Sequence, residues 1–449
     1  MGRLFGTDGV RGKAGEFPLD ATTVRRLGAA LARALHHGDK PVRFLAGRDT
    51  RESGGWIEQE LAFGISTQGG VLTSAGVIPT PAVAYLTPRM GYTAGVVISA
   101  SHNPFEDNGI KVFSGAGEKF TETLEQQVEA IVADTSWTIP DPDGAPNTVE
   151  QMDYRSAYNG HLLEILPPAH RNGVRVVIDC ANGATTTVAP RVFRELGLET
   201  LCIGCEPDGR NINLNCGSTA PGLLAKTVVS GGYDLGIAYD GDGDRAIFVD
   251  AQGRVEDGDA VMLMCAKQLK SEGRLKGDAI VATVMSNIGL EIALREAGVG
   301  LVRAQVGDKY VAEEMLRRGL VLGGEQSGHV IFSEYLFTGD GLATSLNVLR
   351  TMAVTGRSLA DLASDLTTYP QVLMNLRVHQ KVDLKTVAGV AAVIDQVESR
   401  LAGKGRLLVR YSGTEPLLRV MLEGQDQEEI RRWGQEIIDA VREHVGAPV

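Results

Sequence analysis

Three observations predict an α/β chain of several domains. Short apolar runs of strand length alternate with helical stretches over most of the sequence. Glycines and polar residues stand directly after those runs, where open α/β sheets build their sites. Past Tyr369-Pro370 the alternation gives way to a compact run of strands and helices in a different order. A chain of 449 residues corresponds to about three domains, within a range of two to four.

Residues 21–37 predict a helix, because Val24, Leu27, Leu31 and Leu35 recur at helical spacing. Strands are then expected at Val42–Ala46, Gly70–Thr73, Gly95–Ile98 and Ile110–Phe113. The segment 137–147, with Pro140, Pro142, Asp143, Gly144 and Pro146, reads as a linker. A second block has its strands at Val174–Ile178, Thr200–Ile203 and Leu235–Tyr239, and a third begins with Gly277–Met285 and Gly300–Gln305. Three such blocks hint at a distant repeat, although no residue-level identity carries it. Beyond Pro370, a strand at Leu373–Val378 precedes a helix whose apolar face is Val387, Val390, Ala391, Ile394 and Val397. Strands Leu407–Arg410 and Leu418–Leu422 follow. The final helix carries Asp426 and Glu429 at capping-box spacing and the face Ile430, Trp433, Ile437 and Val441. This is an α+β unit of about 80 residues, enough for a small domain. The expected boundaries are 1–150, 151–255, 256–370 and 371–449.

Bulk properties exclude several function classes. Hydrophobic residues make up 43% of the chain, which is ordinary for a globular protein. No apolar run approaches the length of about 20 residues that spans a bilayer. The first residues lack a signal-peptide apolar region, and Gly6 breaks the myristoylation pattern. A net charge of −12 argues against nucleic-acid or anionic-membrane partners, so positive partners for an anionic substrate must be local and placed. Five cysteines without a secretion signal read as reduced thiols of a cytoplasmic protein. Cys202-Ile-Gly-Cys205 resembles half a zinc site that no second pair or nearby histidine completes.

The most informative run is Ala-Tyr-Asp-Gly-Asp-Gly-Asp-Arg at 238–245. Alternate residues of an extended chain point the same way, so Asp240, Asp242 and Asp244 can converge on one point. At close range each pair repels by roughly 4 kcal/mol at an effective dielectric near 20. A bound divalent cation offsets such crowding, and oxygen-only ligands on a short loop suit Mg²⁺. An EF-hand is excluded, because Arg245 stands where that loop needs glycine and Ala251 where it needs glutamate.

Four further loops carry chemistry. Ser99-Ala100-Ser101-His102-Asn103-Pro104 follows a strand and ends in proline, so Ser101 sits on a tight loop as a candidate nucleophile or phosphate carrier. It is not a hydrolase elbow, which needs glycine two residues to either side. Lys111 stands near the start of the next strand. Gly324-Glu325-Gln326-Ser327-Gly328-His329 offers groups that bind hydroxyls or shuttle protons. Arg410-Tyr411-Ser412-Gly413-Thr414-Glu415-Pro416, with Arg419 behind, forms a candidate phosphate cradle. Arg11 lies on the glycine-rich run Phe5–Gly12. No Walker A sequence exists, which excludes a kinase of that class.

In this order the motifs FGTDGVRG (5–12), SASHNP (99–104), DGDGDR (240–245), TVMSNIGL (283–290), GEQSGH (324–329) and SGTEP (412–416) resemble the α-D-phosphohexomutase superfamily, most closely its glucosamine-phosphate branch. The resemblance covers essentially the whole chain. It implies four domains around a central cleft: three related α/β units and a smaller C-terminal α+β unit. It implies that Ser101 carries the phosphoryl group and that Asp240, Asp242 and Asp244 hold Mg²⁺, with the phosphoserine oxygen completing the site. Glu325 and Ser327 match sugar-hydroxyl binders. Arg410, Ser412, Gly413, Thr414 and Arg419 match a clamp for the non-reacting phosphate. Arg11, Lys111 and His329 match positions that assist proton transfer or charge stabilisation, and a base among them needs a lowered pKa. Tyr411 departs from the common pattern, with the neighbouring donors expected to keep the clamp intact. The implied reaction interconverts glucosamine 6-phosphate and glucosamine 1-phosphate through a bisphosphorylated sugar, feeding amino-sugar nucleotide and cell-wall precursor synthesis. The alternatives are a phosphomannose or phosphoglucose mutase and a non-catalytic phosphosugar-binding protein. Oligomeric state stays open.

Overall fold

The computed structural model describes residues 4–6, 8–36, 38, 40–140, 149–170, 173–401, 403–412 and 417–446. Four sheets organise them. By compactness the chain divides into two units, Met1–Met285 with Gly298–Asp365, and Ser286–Ala297 with Leu366–Val449.

The first unit contains three sheets built on one plan. In the first, the strands Arg43–Arg48, Val71–Val77, Ala94–Ile98 and Asp107–Ser114 lie in the spatial order fourth, third, first, second. The same order relates Arg175–Asp179, Glu199–Ile203, Leu235–Tyr239 and Ala246–Asp250 in the second sheet. It also relates Ala279–Thr283, Gly300–Ala304, Leu322–Gly324 and Val330–Phe332 in the third. In each case the first three strands are parallel and the fourth turns back antiparallel on the third. The repeat at which the sequence only hints is therefore topological. Its consequence is functional: the hairpin loops between third and fourth strands are 99–106, 240–245 and 325–329, which carry three of the motifs.

Local chemistry explains these elements. The first helix, Ala21–Ala34, starts where the Asp20 side chain accepts from the Thr23 N–H. It ends at Leu35, short of the expected residue 37. The third strand of each sheet is a buried run, Ala94–Ile98, Leu235–Tyr239 and Leu322–Gly324, which fits strands covered on both faces. The segment Gly277–Met285 is shorter as a strand than expected: a single 3₁₀ turn, Lys276–Asp278, precedes Ala279–Thr283. The first sheet also gains the hairpin Phe5–Gly6 and Gly9–Lys13, which pairs onto Asp107–Ser114 and puts Arg11 opposite Gly109.

The second unit has the antiparallel sheet Gln371–Arg377, Leu417–Glu423 and Arg406–Tyr411, with Leu417–Glu423 central. Val390 and Val397 of Ala388–Leu401 and Ile430, Ile437 and Val441 of Gln427–His444 bury against it. Asp426 caps the last helix through the Glu428 and Glu429 N–H groups, but the Glu429 carboxylate turns to Arg432 rather than closing a capping box. The helix Ile288–Glu296 also belongs to this unit. Glu423 is fully buried and accepts from the Ile288 N–H at 3.1 Å, while Asn287 exchanges hydrogen bonds with the Tyr369 backbone.

Candidate active site

Ser101 is the pivot of the site. Its backbone is left-handed, with φ of 53°, a region sparsely used by residues other than glycine. This turns the side chain out of the strand direction, and Oγ donates to Asp240 Oδ2 at 2.5 Å. The metal-type loop approaches from the second sheet closely enough that residue 241 must be glycine. A Cβ there would lie 2.5 Å from the Ser101 carbonyl oxygen and 2.8 Å from Ile212 Cδ1.

Asp240, Asp242 and Asp244 each offer an oxygen within 4.8 Å of the others, and all three residues are buried. Thr80, at the start of the helix Thr80–Arg89, donates through Oγ1 to Asp242 Oδ2 at 2.6 Å and through N–H to the Asp242 carbonyl at 2.8 Å. Burial, and then the two neighbouring carboxylates, push the Asp240 carboxyl well above its usual range. Asp242 Oδ1 is buried with no hydrogen-bond partner, and Asp244 Oδ1 has only the long approach of His329 Nδ1 at 3.6 Å. Buried carboxylate oxygens short of donors are costly, and three acids whose oxygens converge on one place fit a hard cation such as Mg²⁺.

Lys111 lies against the cage, with Nζ 2.8 Å from Asp242 Oδ2 and 3.1 Å from both Asp244 Oδ2 and Asp8 Oδ2. Burial lowers its pKa, but Asp242, Asp244 and Asp8 together outweigh burial and hold it well above the ordinary lysine value. In this surrounding Lys111 is the positive partner of three carboxylates. Asp244 is held well below its usual value, because Lys111, His329 and Arg245 overcome its burial.

His329 closes the other side. The Gly339 N–H donates to its Nε2 at 2.9 Å, so that nitrogen accepts and the ring proton rests on Nδ1. Nδ1 faces Asp244 Oδ1 at 3.6 Å, and Nε2 lies 3.4 Å from Asp308 Oδ2. Burial lowers the imidazole pKa, and Asp244 and Asp308 more than reverse this; a second ring proton would displace the Gly339 bond. Arg11 donates to the Ala100 carbonyl at 3.2 Å and pairs with Asp8, next to the serine.

Glu325 is half-buried, and its Oε1 accepts from the Gly307 N–H at 3.0 Å. Ser327 is exposed at the tip of the same loop. The Gln326 carbonyl accepts from the Gly258 N–H at 3.0 Å. In the second unit, Arg410 and Arg419 stand directly opposite each other across two antiparallel strands. Like charges in that position repel. Ser412 is buried beside them, and its carbonyl accepts from Lys381 Nζ at 2.6 Å. Gly413 and Thr414 lie outside the described residues.

Ser101, the three aspartates, Lys111, Arg11 and His329 thus form one connected network. Sequence reasoning missed several of its members. Asp8 joins Lys111, Lys119 and Arg11, and Asp308 joins Lys119 and His329. Asp49, Arg51 and Ser99 lie beneath the Ser101 loop. The only signal for Asp49 and Arg51 was their place at the end of a parallel strand; Asn213, which donates to the Ser101 carbonyl at 2.9 Å from an irregular loop, had none.

Matches to the phosphoglucomutase/phosphomannomutase family cover alpha/beta/alpha domain I over residues 2–138, domain II over 156–253, domain III over 257–369 and the C-terminal domain over 373–440. The chain is 48% identical over 444 residues to the phosphoglucosamine mutase of Solibacter usitatus, covering 99% of each. A phosphoglucomutase/phosphomannomutase family protein of Burkholderia thailandensis superposes with a TM-score of 0.81 at 23% identity, over 98% of this chain and 97% of that one. An N-acetylphosphoglucosamine mutase of Aspergillus fumigatus, solved in complex with GlcNAc-6P and magnesium, has a TM-score of 0.63 at 17% identity, over 98% of this chain and 95% of that one.

Proposed function

The chain belongs to the phosphoglucomutase/phosphomannomutase family, and on that premise we propose that it interconverts glucosamine 6-phosphate and glucosamine 1-phosphate through a phosphorylated Ser101. The observation that carries this reading is the meeting of Ser101 Oγ with Asp240 at 2.5 Å, inside a cage of three buried carboxylates in which Asp242 Oδ1 has no hydrogen-bond partner. A serine hydroxyl needs no such cage for folding. A serine that exchanges phosphoryl groups does, because the transferring group gathers negative charge that must be neutralised.

Two oxygens on opposite sides of a hexose cannot both face one rigid site. Holding a phosphoryl group on Ser101 solves this. The free sugar hydroxyl attacks the phosphorus of phosphoserine, the P–Oγ bond breaks, and a bisphosphorylated sugar forms as the hydroxyl loses its proton and the departing Ser101 Oγ takes one up. After the sugar reorients, Ser101 Oγ attacks the other phosphate and the sugar oxygen leaves with a proton. Asp240, Asp242, Asp244 and the phosphoserine oxygen would hold Mg²⁺, which supplies charge neutralisation at the transferring group. Lys111 and Arg11 supply positive charge beside the serine loop, and His329 orients Asp244 through its Nδ1. Glu325 and Ser327 would bind the sugar, with the Glu325 carboxylate suited to an ammonium at C2. Arg410, Ser412, Gly413, Thr414 and Arg419 would hold the phosphate that is not transferred, through charge-assisted bonds that accept it from either end of the sugar.

The domain boundaries proposed for this four-domain architecture fall near residues 150, 255 and 370. Among the described residues no helix is long and apolar enough to cross a membrane, and five free thiols are in keeping with a cytoplasmic setting. The product would feed amino-sugar nucleotide and cell-wall precursor synthesis. Turnover of the 6-phosphates of glucosamine, glucose and mannose, measured side by side, tests the substrate. Preference for glucosamine phosphate supports the reading, and equal turnover of glucose phosphate removes its basis.

A further inference from the structure

Ser101 adopts a backbone conformation that its own side chain disfavours, so something outside the residue must hold it there. Its neighbours identify the holders. The guanidinium of Arg51, which is 1% exposed, donates through Nη2 to the Ser101 carbonyl at 3.2 Å and to the Asn103 carbonyl at 2.6 Å. From the second sheet's side, Asn213 Nδ2 donates to the same two carbonyls, at 2.9 and 3.1 Å. Two donors from different sheets therefore grip the pair of carbonyls that flank the turn. Behind Arg51, Asp49 accepts from its backbone N–H at 2.9 Å and pairs with its Nη1. Asp49 also accepts from Ser99 Oγ, which in turn accepts the Ser101 N–H at 2.9 Å. Asn213 is itself anchored, since its N–H donates to the Ala181 carbonyl at 2.9 Å and it takes φ of 59°.

We propose that Arg51 and Asn213 are positioning residues for phosphoryl transfer, a two-sided clamp on the Ser101 and Asn103 carbonyls that aims Ser101 Oγ at the carboxylate cage. This rests on the reading of Ser101 as phosphoryl carrier. Neither side chain's bonds go to side-chain groups assigned to the sugar or the metal, so the clamp acts on the rate of transfer and not on substrate affinity. The link between sheets matters as well. Asn213 belongs to the same block as Asp240, Asp242 and Asp244, so it fixes the serine relative to the cage rather than only relative to its own strand.

The decisive variant is Asn213→Gly, because glycine accepts a positive φ freely and only the two donated bonds are lost. Arg51→Lys keeps a cation beside Asp49 but lacks the planar fork that reaches two carbonyls. The measurements are kcat and KM for the sugar phosphate, the melting temperature, and the rate at which Ser101 acquires phosphate from glucosamine 1,6-bisphosphate in rapid-quench samples. The expected result for Asn213→Gly is a fall in kcat and in the Ser101 labelling rate on the order of 10²-fold, the usual consequence of misplacing a reacting atom by about 1 Å. KM should stay within about twofold, because the lost bonds go to backbone carbonyls and not to substrate, and folding should be retained. Arg51→Lys should lose rate in the same sense wherever it folds. A variant Asn213→Gly with unaltered kcat and labelling rate overturns the proposal, as does a loss of activity that only tracks a loss of folded protein. Absence of label on Ser101 in the unaltered chain would instead overturn the phosphoserine reading itself, which separates the two failures.

Discussion

Replacing Lys111 by methionine removes one buried positive charge from the centre of three carboxylates, at 2.8, 3.1 and 3.1 Å. At an effective dielectric near 20, each contact of about 3 Å corresponds to roughly 5 kcal/mol of attraction, much of it offset by the cost of burying the ammonium. The net loss expected from breaking such a buried cluster is about 3–5 kcal/mol, because the carboxylates remain buried and uncompensated. The side chain is almost fully buried, so solvent screening does not shrink the effect. A divalent cation in the cage would replace part of the missing charge. Lys111→Met should therefore melt several degrees lower than the unaltered chain in excess chelator and regain more of that loss on adding Mg²⁺ than the unaltered chain gains. Paired thermal melts with chelator and with saturating Mg²⁺ make the comparison, and the readout is independent of turnover. Equal melting temperatures in chelator, or identical gains from Mg²⁺, would refute the reasoning that Lys111 neutralises a cage built for a cation.

Asp242→Asn should lower kcat by on the order of 10²-fold or more with little change in KM, because the lost charge acts on the transferring group; near-normal turnover at modest Mg²⁺ would contradict the cage assignment. Arg419→Ala should raise KM about tenfold and leave kcat nearly unchanged, since a charge-assisted contact to a non-reacting phosphate serves ground state and transition state alike; steady-state kinetics in which kcat falls and KM does not would exclude the clamp. His161 supplies a pH prediction away from the site. Burial, with Arg89 adding to it, lowers its pKa to about 4, and its ring stacks on Tyr85 at 4.2 Å. The folded state thus binds fewer protons than the unfolded state between about pH 6.5 and 4, so stability present above that window is lost as pH falls through it. Discounted for partial exposure, the loss is roughly 1–3 kcal/mol. His161→Phe keeps the stacking and should flatten that part of the stability–pH profile, and a profile as steep as the unaltered one would show that other groups cause it.

Much of the fold was legible because it rests on local pattern. The buried runs at Leu235–Tyr239 and Ala94–Ile98 announce parallel strands, and the glycine-rich loops after them mark the site. The acids of 240–244 were legible for the same reason: their alternation on a short loop has a direct geometric meaning. Three features could not be read. The repeat is one of strand order, which depends on pairing between distant segments. The helix Ile288–Glu296 joins the C-terminal unit through Glu423 and Tyr369, contacts separated by more than 80 residues from Asn287 and Ile288. The supporting residues Asp8, Arg51, Asn213 and Asp308 are single polar side chains with no periodic signature, and only tertiary structure reveals what they touch. The setting of Lys111 was illegible for a related reason, since its charge partners Asp8, Asp242 and Asp244 reach it from two sheets.

The central claim is that Ser101 carries the phosphoryl group. The most direct test is intact-mass analysis with peptide mapping of the active protein after incubation with glucosamine 1,6-bisphosphate. The account predicts a gain of about 80 Da, one phosphoryl group on one hydroxyl, located on Ser101 and lost in Ser101→Ala together with nearly all turnover. A label on another residue, or full turnover in Ser101→Ala, would contradict it.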